Sequence, residues 1–388
     1  MSFDHVLPGI RAHDQQMREL RQEMHRHPEL GFEEQATSDM IAALLTQWGY
    51  DVHRGLGGTG VVGTLVNGTG TKIIGLRADM DALPIEEETG LPYASAVQGK
   101  MHACGHDGHS ATLLSAARYL AEHRSFDGTV RVIFQPAEEG FGGARVMIEE
   151  GLFEQFPCDA VFATHNMPGF PLGKVGFRAG PFMASSDTVI IKINGRGGHG
   201  SLPSTTVDPV LATAHIVVAL QSIVSRNTDP RKLAVITVGS FHAGDAPNVI
   251  PDSAQIKLSV RAQEPEVRQN LRERIIAVVN AQAQAFGATA EIDYRWRYPV
   301  LVNDAAMTHF CEEVARDWCG EEGMIADLPQ LTGSEDFAFM LEKCPGSYFL
   351  IGAGEDARMV HHPKYDFNDD LIAVGASFWV KLAETFCR

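Results

Sequence analysis

The densest group of reactive side chains lies in residues 101–110, MHACGHDGHS, where three histidines, a cysteine and an aspartate fall within eight positions. Thiolate and imidazole groups suit zinc, and a thiolate can bridge two metal ions. The same residue types could form a thiol nucleophile with its base, half of a redox pair, or a polar helix start. Only Gly105 separates Cys104 from His106, which predicts a loop that turns both side chains toward one point before a helix begins. This motif alone leaves metal binding and a structural role open.

Three further groups of candidate residues follow predicted strands. Glu138 and Glu139 lie in QPAEEG, His165 ends the strand in FATHNMP, and His361 or His362 lies in HHPKYDFND. Adjacent carboxylates can divide the work of a metal site, because one binds metal while the other takes a proton from water. Each group could also be structural or simply solvated. Since an α/β sheet gathers its active residues at the carboxyl ends of its strands, the complete set predicts one site.

Short apolar strands alternate with helices in the first half of the chain. This alternation predicts an α/β domain with a largely parallel sheet flanked by helices. The predicted helices cover 11–27, 36–48, 110–123 and 142–150, and the predicted strands cover 61–66, 72–79, 129–135 and 159–165.

The order of elements changes after residue 185 to β-α-β-β-α-β, which predicts an inserted ferredoxin-like α+β domain. Its predicted strands cover 188–195, 234–241, 254–262 and 289–299, and its helices cover 208–225 and 265–286. A buried strand at 347–353 and a helix at 369–386 then resume the first domain. The expected organisation is a discontinuous catalytic domain, 1–185 and 300–388, that carries an inserted domain, 186–299.

The composition excludes several classes of partner. The chain of 388 residues has 32 basic and 49 acidic residues and a formal net charge of -17, which repels nucleic acid. We find no run of about 18 apolar residues for a membrane span and no signal peptide, so we expect a cytoplasmic protein. Its six cysteines include no C-x-x-C pair, and we expect free thiols, which disfavours the redox interpretation.

Eight runs of the sequence together resemble the binuclear metallo-aminoacylase and carboxypeptidase superfamily. They are similar above all to the branch containing hippurate hydrolase, N-acyl-amino-acid amidohydrolases and plant auxin-conjugate hydrolases. The runs are LRADMDALPI, MHACGHDGHSA, QPAEEG, THNMP, GGHGSLP, NVIPD, GSEDF and HHPKYDFND. The resemblance implies hydrolysis of N-acyl amino acids, with hippurate-like substrates favoured by similarity, and N-acetyl or indoleacetyl conjugates or dipeptides as alternatives.

The resemblance also implies two divalent ions per subunit, which could be manganese, zinc or cobalt. The implied metal ligands are Cys104 as the bridging thiolate, His106, Glu139, His165 and His361. His361 is preferred to His362 because the family's ligand lies two residues before the proline. Glu138 matches the general base, which takes a proton from the water that attacks the amide carbonyl.

Residues of the inserted domain complete the implied site. By resemblance, His199 in GGHGSLP stabilises the oxyanion across a dimer interface, which makes the inserted domain a lid and dimerisation domain. A homodimer or a dimer-based tetramer is therefore expected. Asn248 and Arg261 are candidates for holding the substrate's carboxylate, although Arg261 alone could be an ordinary surface arginine.

Two acidic stretches have other interpretations. Many relatives have a metal-binding H-x-D pattern where this chain has ADMD, so Asp81 is a candidate for orienting a ligand, or a plain strand-end acid. GSEDF could be a helix cap, and we leave Glu335 and Asp336 outside the catalytic set. A cysteine hydrolase that uses Cys104 with His106 or His109, and a metal-binding module without turnover, remain as alternative functions.

Overall fold

The computed structural model describes residues 3–388 and divides the chain into two compact units. The first unit comprises Met1–Gly180, Val302–Pro329 and Asp336–Arg388, and the second comprises Pro181–Leu301 and Gln330–Glu335. The first boundary therefore lies five residues before the predicted one at 185, and a short segment near residue 330 joins the second unit.

The helices and strands are numbered here in chain order. The α-helices are α1 Pro8–Arg11, α2 Asp14–Arg26, α3 Gln35–Gln47, α4 His106–His123, α5 Gly143–Glu149, α6 Leu152–Gln155, α7 Pro209–Asn227, α8 Pro265–Ala285, α9 Ala305–Cys319, α10 Ala338–Leu341 and α11 Asp370–Phe386. The strands are β1 Asp51–Leu56, β2 Gly60–Asn67, β3 Ile73–Asp79, β4 Gly128–Gln135, β5 Ala160–Met167, β6 Val175–Gly176, β7 Gly180–Met183, β8 Ser186–Asn194, β9 Gly198–His199, β10 Ala234–His242, β11 Val249–Ile250, β12 Ser253–Ala262, β13 Thr289–Tyr298, β14 Leu301–Asn303 and β15 Gly346–Gly352.

The first unit is built on a seven-stranded sheet in the order β1-β2-β4-β3-β5-β15-β6. The four central strands, β4, β3, β5 and β15, run parallel, and the strands outside them pair antiparallel. This confirms the predicted α/β class, with the parallel pairing confined to the centre of the sheet. Consequently, the carboxyl ends of four neighbouring strands meet at one edge.

Helix α4 lies in the core of the first unit. Its N-terminal two thirds, from His106 to Ala117, is buried throughout, and α2 and α11 pack against it. Small residues such as Ala111, Ala116 and Ala117 allow this close approach of neighbouring helices. The helix that carries the first half of the site is therefore held from several sides.

The second unit has a four-stranded antiparallel sheet in the order β10-β12-β8-β13, with α7 and α8 packed on it. Burial alternates along β8, so that Val189, Ile191 and Ile193 face the core. Leu258 of β12 and Ile216 of α7 pack in the same cluster. The order of elements and the sheet topology are those of the predicted ferredoxin-like fold.

Three local predictions were wrong. Helix α4 begins at His106 rather than near 110, because Gly105 takes a left-handed φ of +97° as its N-cap and starts the helix early. Strand β1 was not predicted, because half of its residues are exposed and it lacks an apolar run. The first predicted helix is split into α1 and α2.

Helix α7 is long and apolar enough to cross a membrane by length and composition, with a mean hydropathy of 1.3. The sequence shows no unbroken apolar run here, because polar residues interrupt the apolar ones along α7. Core helices of soluble proteins can be equally long and apolar, and Ala212, Ile216, Leu220 and Ile223 of α7 are buried in the second unit. The helix is therefore weak grounds for a membrane span.

Candidate metal centre

The carboxyl ends of the parallel strands bring the predicted residues of the first unit together. Asp79 ends β3, Glu138 and Glu139 follow β4, and His165 lies near the end of β5. The loop after β15 supplies His361, whose backbone N–H donates to the Ala103 carbonyl at 2.7 Å. The first turn of α4 adds His106, and Cys104 precedes it by two residues.

Two groups of potential metal ligands share the Cys104 thiol. One group contains Cys104, His106 and His165, and the other contains Cys104, Glu139 and His361; in each, the ligand atoms lie within 4.8 Å of one another. A further group joins His106 with Glu138 and Glu139. The Cys104 thiol, as a thiolate, would therefore be placed to hold two ions at once.

Hydrogen bonds orient two of the histidines toward this centre. His106 Nδ1 lies 3.2 Å from the Asp81 carboxylate, and His165 Nδ1 donates to the Asn166 carbonyl at 2.6 Å. The Nε2 lone pairs are then available as ligands. Nε2 of His165 lies 3.3 Å from the Cys104 sulfur, and Nε2 of His106 is buried without a hydrogen-bond partner. A buried unsatisfied nitrogen beside carboxylates and a thiol fits a cation.

Asp81 connects two of the loops in the centre. Besides contacting His106, its two carboxylate oxygens accept the backbone N–H groups of Glu138 at 3.0 Å and Glu139 at 2.9 Å. The Asp81 side chain is buried, so these bonds are shielded from water. Asp81 therefore fixes the peptide that carries both glutamates relative to His106.

A second buried network, which the sequence did not predict, lies beside the first. His109 Nδ1 is 2.6 Å from the Asp79 carboxylate, and its Nε2 is 2.7 Å from the Asn166 side-chain oxygen. The Asn166 amide in turn donates to the Tyr365 hydroxyl at 2.6 Å. Asn166 follows His165 in THNMP, and Tyr365 lies in HHPKYDFND. Both runs contain predicted metal ligands, which was a usable signal, but the contact between the two side chains was not predicted.

The Glu138 carboxylate is buried beside Asp336, an acidic residue outside the predicted catalytic set. Glu138 Oε1 accepts the backbone N–H of Asp336 at 3.3 Å. The Asp336 carboxylate is itself bound by Gln135 at 2.8 Å and Arg77 at 3.2 Å. The Asp336 backbone therefore helps to position Glu138.

Burial and neighbouring charges strongly shift the ionisation of the site. Burial raises the pKa of the Cys104 thiol well above its usual value, and Glu139 and Glu138 raise it further. Burial lowers the pKa of His106, but Asp79 and Asp81 together raise it to about 10. Burial also lowers the pKa of His165 well below 6.5. A bound divalent cation would favour the thiolate and the neutral imidazoles, so the donors fit a metal chemically.

Three of the remaining candidates, His199, Asn248 and Arg261, lie in the second unit. In the first unit, the choice lies between His361 and His362. His199 is exposed in β9. The backbone carbonyl of Asn248, in the loop before β11, accepts the Gly200 N–H at 2.8 Å. Arg261 lies near the end of β12 and donates to the Thr332 carbonyl at 3.1 Å. In the first unit, His361 Nε2 lies 3.1 Å from Glu139, whereas His362 Nδ1 accepts the Lys364 N–H at 2.9 Å.

A parallel-centred α/β sheet with a shared thiol, histidines and carboxylates at its strand ends is the arrangement of a dinuclear metalloenzyme. Residues 75–385 match Peptidase family M20/M25/M40, and the chain belongs to this family.

Known proteins resemble the chain over almost its entire length. It is 45% identical to the hippurate hydrolase of Campylobacter jejuni, covering 99% of this chain and 100% of the relative. It is 40% identical to the IAA-amino acid hydrolase ILR1-like 4 of Arabidopsis thaliana, covering 95% and 84%. A solved structure of the Bacillus subtilis YXEP protein, described as a dinuclear metal binding peptidase from the M20 family, superposes with a TM-score of 0.85 at 34% identity, covering 97% and 99%.

Proposed function

We propose that the chain is a metal-dependent amidohydrolase that cleaves the amide bond of N-acyl amino acids to a carboxylic acid and a free amino acid. The observation that carries this proposal is the pair of ligand groups that share Cys104, with the Glu138 carboxylate beside them. The hippurate hydrolase relative, at 45% identity over nearly the full length, supports the reaction and the substrate class.

The residues of the chain divide the reaction between them. Two divalent ions held by Cys104, His106, Glu139, His165 and His361 would polarise the amide carbonyl and lower the pKa of water. Glu138 accepts a proton from water as the water oxygen bonds to the carbonyl carbon. As the C–N bond breaks, Glu138 returns that proton to the nitrogen, because an amine anion is a very poor leaving group.

The ligand types narrow the metal without selecting one ion. A thiolate and three imidazoles favour zinc or cobalt, whereas the Glu139 carboxylate also suits manganese. We therefore propose manganese, zinc or cobalt as the native ions. Metal analysis of the purified enzyme, followed by reconstitution of the metal-free protein, would identify which ion gives turnover.

His199 is suited to stabilise the oxyanion. Its Nδ1 accepts the Ser201 backbone N–H at 3.1 Å. Since a backbone N–H can only donate, the neutral ring carries its proton on Nε2, which makes that nitrogen a hydrogen-bond donor. We propose that a second copy of the chain supplies this donor, so that the active form is a homodimer or a tetramer built from dimers.

Asn248 and Arg261 are the proposed partners of the substrate's free carboxylate. The Arg261 guanidinium bonds the Thr332 carbonyl through one nitrogen and has further N–H groups for a carboxylate. Benzoylglycine is the favoured substrate, and acetyl or indoleacetyl conjugates and dipeptides are alternatives. The acidic chain and its free cysteines suit a cytoplasmic enzyme without a nucleic-acid or membrane partner.

Activity before and after metal removal tests the function. Benzoylglycine, acetylmethionine and indoleacetylaspartate should be assayed with native protein, EDTA-treated protein, and treated protein given manganese, cobalt or zinc. We expect EDTA to abolish turnover and one of the metals to restore it. Activity that resists EDTA but is lost on thiol alkylation would indicate a cysteine hydrolase, and bound metal without turnover would indicate a binding module.

A further inference from the structure

Phe32 and Phe141 form an exposed aromatic pair in the first unit. Their ring centroids lie 6.1 Å apart, yet the residues remain 40% and 56% exposed. Single exposed apolar side chains are common, whereas contacting aromatic rings that stay open to solvent are more typical of a binding surface. We call these two residues the aromatic pair.

The backbone holds Phe32 in an unfavourable conformation. Its φ of +66° lies in the left-handed region, which bulky side chains rarely adopt. Such strain costs about 1 kcal/mol or more and persists only where surrounding contacts fix the backbone. Folding gains little from exposing this ring, so the conformation is better explained by what the ring contacts.

The loop that carries Phe32 is fixed to the loops of the metal centre. The buried Glu34 carboxylate accepts the Ala137 N–H at 2.9 Å and the Thr59 hydroxyl at 2.7 Å. The Ala82 N–H donates to the Glu29 carbonyl at 2.8 Å. Ala137 directly precedes Glu138, and Ala82 directly follows Asp81. Phe32 is therefore held relative to both the proposed base and the residue that orients it.

Phe141 is linked to the loop of the two glutamates by the chain itself. It lies two residues after Glu139, and its ring packs against Gly31, where an added Cβ would be 2.9 Å from the ring and 3.0 Å from Ala137. The missing side chain at Gly31 thus permits this ring position. Phe141 is therefore joined to the proposed ligand Glu139 by the single residue Gly140.

We propose that the aromatic pair contacts the acyl group of aromatic N-acyl amino acids and determines the preference for them over small acyl groups. This inference rests on the proposed function. Neither ring carries a charge that could bind the substrate's carboxylate, so the pair suits the acyl end. An aromatic acyl ring would gain an edge or face contact and bury apolar area there.

The test compares kcat/KM for benzoylglycine and acetylglycine in the metal-loaded enzyme. For Phe141→Ala we expect a fall of about 10-fold on benzoylglycine and less than about 2-fold on acetylglycine, and for Phe32→Ala a smaller fall of the same kind. Phe141→Leu keeps apolar area without a ring, so its kcat/KM for benzoylglycine should lie between those of the wild type and Phe141→Ala. Val66→Ala is the matched control: Val66 is 60% exposed and pairs with Thr129 at the start of β4, at the end of that strand remote from Glu138.

The outcomes separate the inference from the function on which it rests. Equal losses on both substrates, or no loss on either, would overturn the specificity role while leaving the amidohydrolase activity in place. Wild-type protein that hydrolyses neither substrate, although loaded with metal, would instead contradict the proposed function and the inference with it. Thermal unfolding of each variant checks that the exposed substitutions leave the fold intact.

Discussion

Glu138 and Glu139 are adjacent in the chain but have different surroundings. Glu139 lies 3.1 Å from His361 in a ligand group with Cys104, whereas the Glu138 carboxylate accepts the Asp336 N–H. The Asp81 side chain binds both backbone N–H groups and fixes this difference. One residue is therefore placed to bind metal and the other to move a proton.

These placements predict different losses in two variants. Glu138→Gln should keep both ions and reduce kcat by about 100- to 10,000-fold, because it removes the general base. Glu139→Ala should lose metal as well as activity. Elemental analysis and steady-state kinetics check this, with Glu154→Gln, an exposed glutamate of α6, as the control. Full metal content in both variants would refute the separate roles.

Glu34 predicts a pH dependence of stability. Burial raises its pKa to about 7, although Thr59 and Ala137 oppose the shift with hydrogen bonds. Between the ordinary value of 4.5 and about 7, the folded state holds a proton that the unfolded chain has lost. The contribution of protonated Glu34 to the free energy of unfolding is therefore present at low pH, and it disappears as pH rises through this window.

The comparison with Glu34→Gln isolates this effect, because the amide stays neutral. We expect the free energy of unfolding of the wild type to fall relative to the variant between pH 5 and pH 8. Urea denaturation across this range measures the difference. Parallel curves for the two proteins would show that Glu34 ionises normally.

At the scale of elements, the start of α4 places His106. Gly105 has a φ of +97°, and a Cβ there would lie 2.6 Å from both the Asn166 side-chain oxygen and the Tyr365 hydroxyl. Gly58 has a similar φ of +81°, but no heavy atom lies within 4 Å of an added Cβ. The two glycines therefore separate backbone strain from crowding.

Alanine at each position should have a different cost. Gly58→Ala should lower the free energy of unfolding by about 1 kcal/mol through backbone strain alone. Gly105→Ala should lose at least about twice as much, because crowding is added to the strain, and it should also weaken metal binding. Denaturation with and without metal measures both effects. Equal losses at the two glycines would mean that the contacts of Gly105 relax freely.

The sequence predicted the elements better than their junctions. Strand periodicity placed Glu138 and His165 at strand ends, and the order of elements predicted the inserted fold. It did not predict that α4 begins at His106, because Asn166 and Tyr365, which surround Gly105, come from distant parts of the chain. The contact of Phe32 with Phe141 was invisible for the same reason.

At the scale of the whole molecule, the proposed donation by His199 from a second copy predicts complementation. His199→Ala and Glu138→Gln should each be inactive, but a reassembled 1:1 mixture should recover about a quarter of wild-type activity, since half the dimers have one intact site. Mixing Glu138→Gln with Glu139→Ala is the control. Both substitutions damage the metal centre of the first unit, so neither subunit of a mixed dimer has an intact site. Dimers that exchange subunits yet stay inactive would exclude donation between subunits.

The division of the first unit has a consequence for synthesis on the ribosome. Strand β15 fills the place between β5 and β6, and α11 packs on α4, yet both are made after the whole second unit. Arg21 near the N-terminus donates to Asp369 at 2.8 Å, and this partner is also made after the second unit. The second unit is mostly one continuous stretch and can fold as it emerges. The nascent first unit must hold an incomplete sheet, with the edge of β5 open, until β15 has been made. We expect the chain to need chaperones most during this interval.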